Sequence, residues 1–493
     1  MKKIALTSAL LLLTLVSTLL FRAIYTFDNQ QPAPRIQLPA KAIFNQTDAL
    51  QKLADAIKIP TISFDKTADK LRHFDAAAFL KFHQHLQNAF PLVDKIAKKT
   101  VINQYSLIFH LPGQNPALKP VLLLSHMDVV PVDQHTRAQW THEPFSGDIT
   151  DEAIWGRGTI DDKGGLIALM QATEILLEQG IKPQRSIYLA FGHDEEIGGN
   201  AGAAKIAEHF AANNVHFDFV LDEGGAITEG IVQGFDRPVA LIGIAEKGYA
   251  NLHLKVTASG GHSSQPPAQT AVGILSQAIV KTEQNPFPAS LLFSELTFDA
   301  IGSYAPFGTR LAMANLWLLS PLVKSVLMNQ SKLAASLHTI TAATKVSGSP
   351  KANVLPTVAN GVINVRIFPG ETADSVKKRV EQIIDDPRVA IAVTDQVNPS
   401  PVSSTDSYGY SLITQTIIES DPNILVAPYL VQGSTDSKFF YPVADHVYRF
   451  LPIRTSKEKL KRFHGINEQI AVNDYFAAIQ FYYRILIEVA DTK

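Results

Sequence analysis

Three short apolar runs, each closing in acids or histidine, limit what this chain can become. They are "VLLLSHMD" ending at Asp128, "IYLAFGHDEE" ending at Glu196 and "FVLDE" ending at Glu223. Apolar stretches of about 4–8 residues bounded by polar turns read as buried strands. Between the first two lies "LIALMQATEILLEQG", apolar at helical spacing and stopped by Gly180, a residue suited to the turn that ends a helix. From about residue 45 strands and helices keep alternating, the order that builds an α/β fold around a sheet. Open sheets of this kind bind ligands at the carboxyl ends of their strands. A fourth apolar run, "HVYRFLPI", is followed by "RFHGINE" with His464.

The texture changes near Gly248. "YANLHLKVTASGG" alternates like a half-exposed strand and precedes a helix near Ala271–Thr282. Later come "NGVINVRIFPG", a helix over Ala373–Ile384 and "RVAIAVTDQ". This β-α-β-β-α-β order predicts a ferredoxin-like α+β lid domain over 248–398, inserted into a catalytic domain made of 45–247 and 399–493. An apolar insertion over 286–347 lies inside it and has three readings: core or subunit packing, a channel for a long acyl chain, or membrane contact. Pro321 interrupts that insertion and argues against a second membrane span.

The N-terminus reads "MKK", then a charge-free apolar run from Ile4 to Phe21, then Arg22. A signal peptide's apolar core is about 7–15 residues and a spanning helix about 17–25. The run's length and the lack of an A-x-A-like site favour an uncleaved anchor over 1–27 rather than a cleaved signal. Either way the body is exported, periplasmic or extracellular, and 28–44 is an extended Pro-containing tether. A net charge of −2 without long basic runs argues against nucleic acid as a partner. Cysteine is absent, so a metal site must be built from His, Asp and Glu.

The acids and histidines supply such a set. His126 and Asp128 are two apart at a strand end, so their side chains leave by one face. Glu195 and Glu196 follow the second strand and Asp222 and Glu223 the third. Asp161 and Asp162 sit in "GRGTIDDKGG", which taken alone reads as a turn with a polar helix cap. Imidazoles with several carboxylates favour Zn2+, with Co2+ or Mn2+ as alternatives.

Seven motifs in order, "LSHMDVVP", "WGRGTIDDKGG", "DEEIGG", "LDEGG", "SGGHSS", "NVLPT" and "FHGINE", resemble the di-zinc aminoacylase and carboxypeptidase S peptidases. Within that family the chain is most similar to carboxypeptidase S and the secreted N-fatty-acyl-amino-acid synthase/hydrolase. The resemblance covers nearly everything from about residue 45 onward. It implies two Zn2+ ions per chain, one on His126 and Asp222, the other on Glu196 and His464, bridged by Asp161. Asp222 is favoured over its neighbour Glu223. Asp162 is then structural, joined to Asp161 by a peptide often cis in relatives. Asp128 orients His126, and Glu195 is the general base for the attacking water.

In the lid, the resemblance makes His262 an oxyanion stabiliser and gives Asn353 and Arg366 the substrate's free carboxylate. The plainer readings are a loop histidine and a strand-surface charge. The departure is His193, where many relatives carry a small hydroxyl residue. The implied enzyme is a zinc amidohydrolase acting on an amide whose amine half bears a carboxylate. It is a carboxypeptidase S-like Gly-X peptidase or an N-acyl amino acid hydrolase, with a homodimer through the lid expected from the family. The competing classes are a non-catalytic exported binding protein and a metal-free tethered structural protein.

Overall fold

The computed structural model describes residues 2–27, 31–32, 41–64 and 75–491. Much of the tether expected over 28–44 lies outside the described residues. In chain order the strands used below begin with β1 (Ser106–Leu111), β2 (Val121–His126), β3 (Ile187–Gly192), β4 (Phe217–Asp222) and β5 (Val239–Glu246). They continue with β6 (Gly248–Thr257), β7 (Gly261–His262), β8 (Ile340–Ser347), β9 (Val354–Leu355), β10 (Val358–Ile367) and β11 (Val389–Val397). The last two are β12 (Leu425–Val431) and β13 (Ala444–Arg449). The helices are α1 (Lys2–Tyr25), α2 (Lys163–Glu178), α3 (Ala271–Gln284) and α4 (Leu292–Ile301). After them come α5 (Phe307–Ala314), α6 (Leu316–Met328), α7 (Ala373–Ile384) and α8 (Val472–Asp491).

The large sheet is mixed. From β1 it runs through β3, β2, β4 and β13 to β5, with β12 also pairing β5. β3, β2, β4 and β13 are mutually parallel, while β1 pairs β3 antiparallel. All six residues of β2 are buried, as expected of a parallel strand covered on both faces. Helix α2 packs between this sheet and α8, which is why its residues from Lys163 to Leu177 are all buried and apolar residues surround it. It ends, as the sequence predicts, before Gly180, which takes a left-handed φ of 69°.

The smaller sheet is antiparallel in the order β8-β10-β6-β11. With α3 and α7 it follows the β-α-β-β-α-β sequence of a ferredoxin-like unit. It has a core of its own, including Leu252, Leu254, Ile274, Leu275, Ile363 and Val376. The chain leaves the large sheet at Glu246 and returns at Ser400. There the Glu246 amide donates to Ser400 Oγ at 2.7 Å, and the Ser400 amide donates to the Glu246 carbonyl at 3.1 Å.

The apolar insertion read over 286–347 is not one element. Its first helix, α4, lies on β12 of the large sheet, where Thr297 Oγ1 donates to the Pro428 carbonyl at 3.0 Å. Its last stretch, β8, completes the smaller sheet. Between them α5 and α6 meet at 116°. The break falls at Asn315, not at Pro321, which sits inside α6. Asn315 is fully buried, and its side-chain amide donates to the Leu311 carbonyl at 2.8 Å and to the Leu19 carbonyl of α1 at 3.0 Å.

Candidate metal centre

The site forms where β2, β3 and β4 end side by side. His126 is the last residue of β2 and pairs in register with Gly192, the last of β3. Asp161 and Asp162 precede α2, joined by a cis peptide. The two glycines of "DDKGG" are required by closeness: a Cβ on Gly164 would lie 2.1 Å from the Thr159 carbonyl oxygen, and one on Gly165 2.3 Å from Asp162 Oδ1. The backbone can therefore pass under the acids only without side chains there.

Five of the expected ligands and acids converge. His126 Nε2 lies 2.9 Å from Asp161 Oδ1, and His464 Nε2 lies 2.9 Å from Asp161 Oδ2. Asp161 thus stands between the two imidazoles. His464 Nε2 is also 3.1 Å from Glu196 Oε2. His126, Asp161 and Glu196 each offer a ligand atom within 4.8 Å of the others, and so do His126, Glu195 and Glu223. The acid beside His126 from the end of β4 is Glu223, 3.4 Å away, and not Asp222. Successive residues of a strand point to opposite faces, so only one of the pair can look into the cluster. Asp222 turns the other way, and its Oδ2 accepts the Ser437 amide at 2.9 Å.

Asp128 braces the cluster from behind. Its carboxylate is fully buried and accepts the amides of Glu195 at 3.1 Å and Glu196 at 3.2 Å. It also lies 3.3 Å from His126 Nδ1, which faces the Asp128 carbonyl at 2.9 Å as well. With two oxygen acceptors beside it, Nδ1 carries a proton, while Nε2 is the nitrogen that faces the acids Asp161 and Glu223. Asp162, expected to be structural, accepts from Ser125 Oγ.

The electrostatics are those of a buried cluster of acids and imidazoles. Burial lowers the His126 pKa, but Asp128, Asp161 and Glu223 more than reverse it. Asp161 is held below the carboxylate range by His126 and His464, against the effect of burial. Burial pushes Glu195 well above its usual range, with help from Glu223, Asp436 and Glu196 and against the pull of His126. Glu223 is pushed up to about 8 by burial and by Asp161. Asp161 and Glu196 raise His464 to about 10. Four carboxylates and two imidazoles within contact of one another make a donor set that fits divalent ions of borderline softness.

Two groups in the quoted motifs were passed over. Arg157 of "WGRGT" and Glu468 of "HGINE" form a buried pair at 2.5 Å. Glu468 Oε1 accepts the amides of Gly158 and Ile160 at 2.9 Å each, while Arg157 Nη2 donates to the His464 carbonyl at 3.1 Å. The pair fixes the Asp161 turn to the His464 loop. A charged residue in each motif, on loops that must meet at Asp161, was the available signal. His193 is buried, with Nδ1 2.6 Å from Ser106 Oγ, outside the cluster.

The residues expected from the inserted domain lie apart. His262 is exposed on β7, whose partner β9 starts just after Asn353, and the Ser263 amide donates to the Asn353 carbonyl at 3.2 Å. Arg366 is on β10 with its guanidinium 4.9 Å from the Tyr249 ring centre. Among the described residues none of the three hydrogen-bonds to the acid cluster.

Comparison with known proteins gives concordant matches. A family model described as peptidase family M20/M25/M40 matches residues 122–488. A probable carboxypeptidase S-like 2 of Dictyostelium discoideum is 40% identical over 93% of this chain and 89% of its own length. The human N-fatty-acyl-amino acid synthase/hydrolase PM20D1 is 37% identical over 90% of this chain and 88% of its own. An M20 family metallo-carboxypeptidase from Sulfolobus solfataricus has the same fold, with a TM-score of 0.63 at 19% identity over 90% of this chain and 99% of that one.

Proposed function

The chain belongs to peptidase family M20/M25/M40, and from that premise we propose a metal-dependent carboxypeptidase of the carboxypeptidase S type, cleaving short peptides of the Gly-X kind. The observation that carries this reading is the 40% identity to a probable carboxypeptidase S-like protein over 93% of the chain, with the acid cluster inside the matched region. The substrate is an amide whose amine half ends in a free carboxylate. With export through the N-terminal segment, such an enzyme acts on peptides outside the cytoplasm.

In this reading His126 and Glu223 would hold one Zn2+ and Glu196 and His464 a second, with Asp161 between them. When bound, such ions polarise the amide carbonyl and bring a water's pKa down towards neutrality. Glu195 takes the proton of the attacking water and hands it to the departing amine. Burial raises its pKa above the ordinary carboxylate range, the direction that strengthens a carboxylate as a base. Asp128 keeps the His126 proton on Nδ1 and both glutamates in place. His262 serves the oxyanion and Asn353 with Arg366 the substrate carboxylate; these three must approach the cluster when substrate is bound.

A second reading, an N-fatty-acyl-amino acid hydrolase or synthase, is favoured by the 37% identity to PM20D1. One experiment separates the two. The zinc-loaded protein is given a Gly-X dipeptide and an N-oleoyl amino acid, with Glu195→Gln as the blank. Faster dipeptide cleavage supports the carboxypeptidase, and faster oleoyl cleavage the acyl hydrolase. Cleavage of neither overturns both. Glu195→Gln is expected to keep its metal and lose about 10²–10⁴-fold in kcat.

A further inference from the structure

The surface built by α1, α5 and α6 carries chemistry that the acid cluster does not use. Helix α1 is long and apolar enough to cross a membrane, and its charge-free run from Ile4 to Phe21 rises about 27 Å, close to the ~30 Å hydrocarbon thickness of a bilayer. The end of that run is fastened to the insertion. Arg22 Nε donates to the Ala314 carbonyl at 2.8 Å, and Asn315 Nδ2 donates to the Leu19 carbonyl at 3.0 Å. The corner between α5 and α6 therefore sits at the level where α1 leaves its apolar stretch.

From that corner α6 runs with no buried residue. Trp317, Leu318, Leu322 and Val326 are 59%, 42%, 62% and 52% exposed. Leu318, Leu322 and Val326, four residues apart, share one helical face, and Trp317 lies beside it on the side of the cleft described below. Three large apolar side chains on one exposed face, with an exposed tryptophan beside them, are unusual for a surface in water. With 8 and 13 residues meeting at 116°, α5 and α6 are too short and too sharply bent to form a span of their own. The charge pattern fits as well. From Ala300 through Gly370 the sequence has no Asp or Glu, but has Arg310, Lys324, Lys332, Lys345, Lys351 and Arg366. Between the last turn of α1 and α4 to α6 an open cleft of about 750 Å³ is lined by Phe27, Leu291, Phe298 and Trp317 together with the acids Glu295 and Asp299 of α4.

We propose that α6 lies in the interface of the bilayer that α1 enters, its Leu318, Leu322 and Val326 face among the acyl chains, with Trp317 at the boundary and Arg310 and Lys324 at the phosphates. This is the arrangement of an interfacial helix with apolar and basic sides. The occupant of the face is a phospholipid surface, because the face continues directly from the end of a helix long and apolar enough to span one, and α5 and α6 themselves carry Arg310 and Lys324 but no acid.

The test uses the full chain in vesicles of phosphatidylcholine and phosphatidylglycerol, with and without bromine on the acyl chains, read by tryptophan emission. Of the three tryptophans, only Trp317 lies on α6, beside this face, since Trp140 and Trp155 belong to the large-sheet domain. Brominated vesicles should remove about a third of the wild-type emission, one tryptophan in three, and none from Trp317→Phe. Leu322→Glu with Val326→Glu should abolish the quenching while α1 still holds the protein to the vesicles. Equal emission in both vesicle types, or quenching that persists in Trp317→Phe or in the double glutamate variant, overturns the proposal. So does cross-linking through position 322 to a second copy, with no quenching.

Discussion

Replacing Asp128 by asparagine tests the architecture of the site more sharply than removing a ligand. The carboxylate faces three donors: the amides of Glu195 and Glu196 and the Nδ1–H of His126. Asparagine keeps the shape but offers a single acceptor oxygen and turns an NH2 group against one of the amides. Hydrogen bonds to a charged group contribute about 1.5–3 kcal/mol, and a donor left without an acceptor costs about 1–3 kcal/mol. One lost bond and one opposed donor thus amount to roughly 3–5 kcal/mol, discounted somewhat because both amides are only partly buried. At 1.36 kcal/mol per decade this is about 10²–10³-fold, spread over metal affinity and kcat. The assay is metal content by competition with a chelator, together with kcat on the better of the two substrates, for Asp128→Asn and Asp128→Ala side by side. Because the asparagine introduces a repulsion that alanine does not, it should be no better than alanine. Asp128→Asn within threefold of wild type in both measurements would falsify the bracing role.

The other predictions concern single groups. Glu223→Gln should lower metal affinity by at least the ~10–100-fold typical of losing a group behind a ligand, whereas Asp222→Asn should leave metal content unchanged; the reverse pattern restores Asp222 as the ligand. After chelation, Glu223 holds a proton in the fold up to about 8 against an ordinary 4.5. Between those values the folded chain binds a proton that the unfolded chain has released, so Tm should fall as pH rises through that window. The metal-loaded protein, whose carboxylates stay charged, should not show the fall, and parallel profiles would count against the cluster being a metal site. Glu468→Ala strands the buried Arg157 and should cost about 3–5 kcal/mol in urea unfolding; a loss under 1 kcal/mol would show that the loops do not depend on the pair.

Much of this arrangement was legible in the sequence, and the gaps have physical causes. The runs ending at His126, Glu196 and Glu223 are β2, β3 and β4 with their following turns, and the helix predicted over Ala373–Ile384 is α7. Hydrophobic period gives such elements, but not which way a strand end faces. That is why Asp222 and Glu223 could not be told apart: neighbouring residues sit on opposite faces, and the pleat's phase depends on pairing with β2 and β13. The break at Asn315 was missed in favour of Pro321. It is made by tertiary bonds to Leu19 and Leu311, which no local pattern announces. The Arg157–Glu468 pair is likewise a contact between residues 311 apart in sequence.

The way the smaller domain is threaded has a mechanical consequence. An insertion entering at Glu246 and leaving at Ser400, one hydrogen bond apart, would rock on a single pivot. Here the chain goes back to the large sheet in mid-course, lays α4 on β12, clasps α1 with α5 and only then returns to form β8. The domain is moored at a second, distant point, so its swing is not free. Any stroke that carries His262 toward the acid cluster must pull on α4 through α6, and the load falls on the same helices that grip the N-terminal segment.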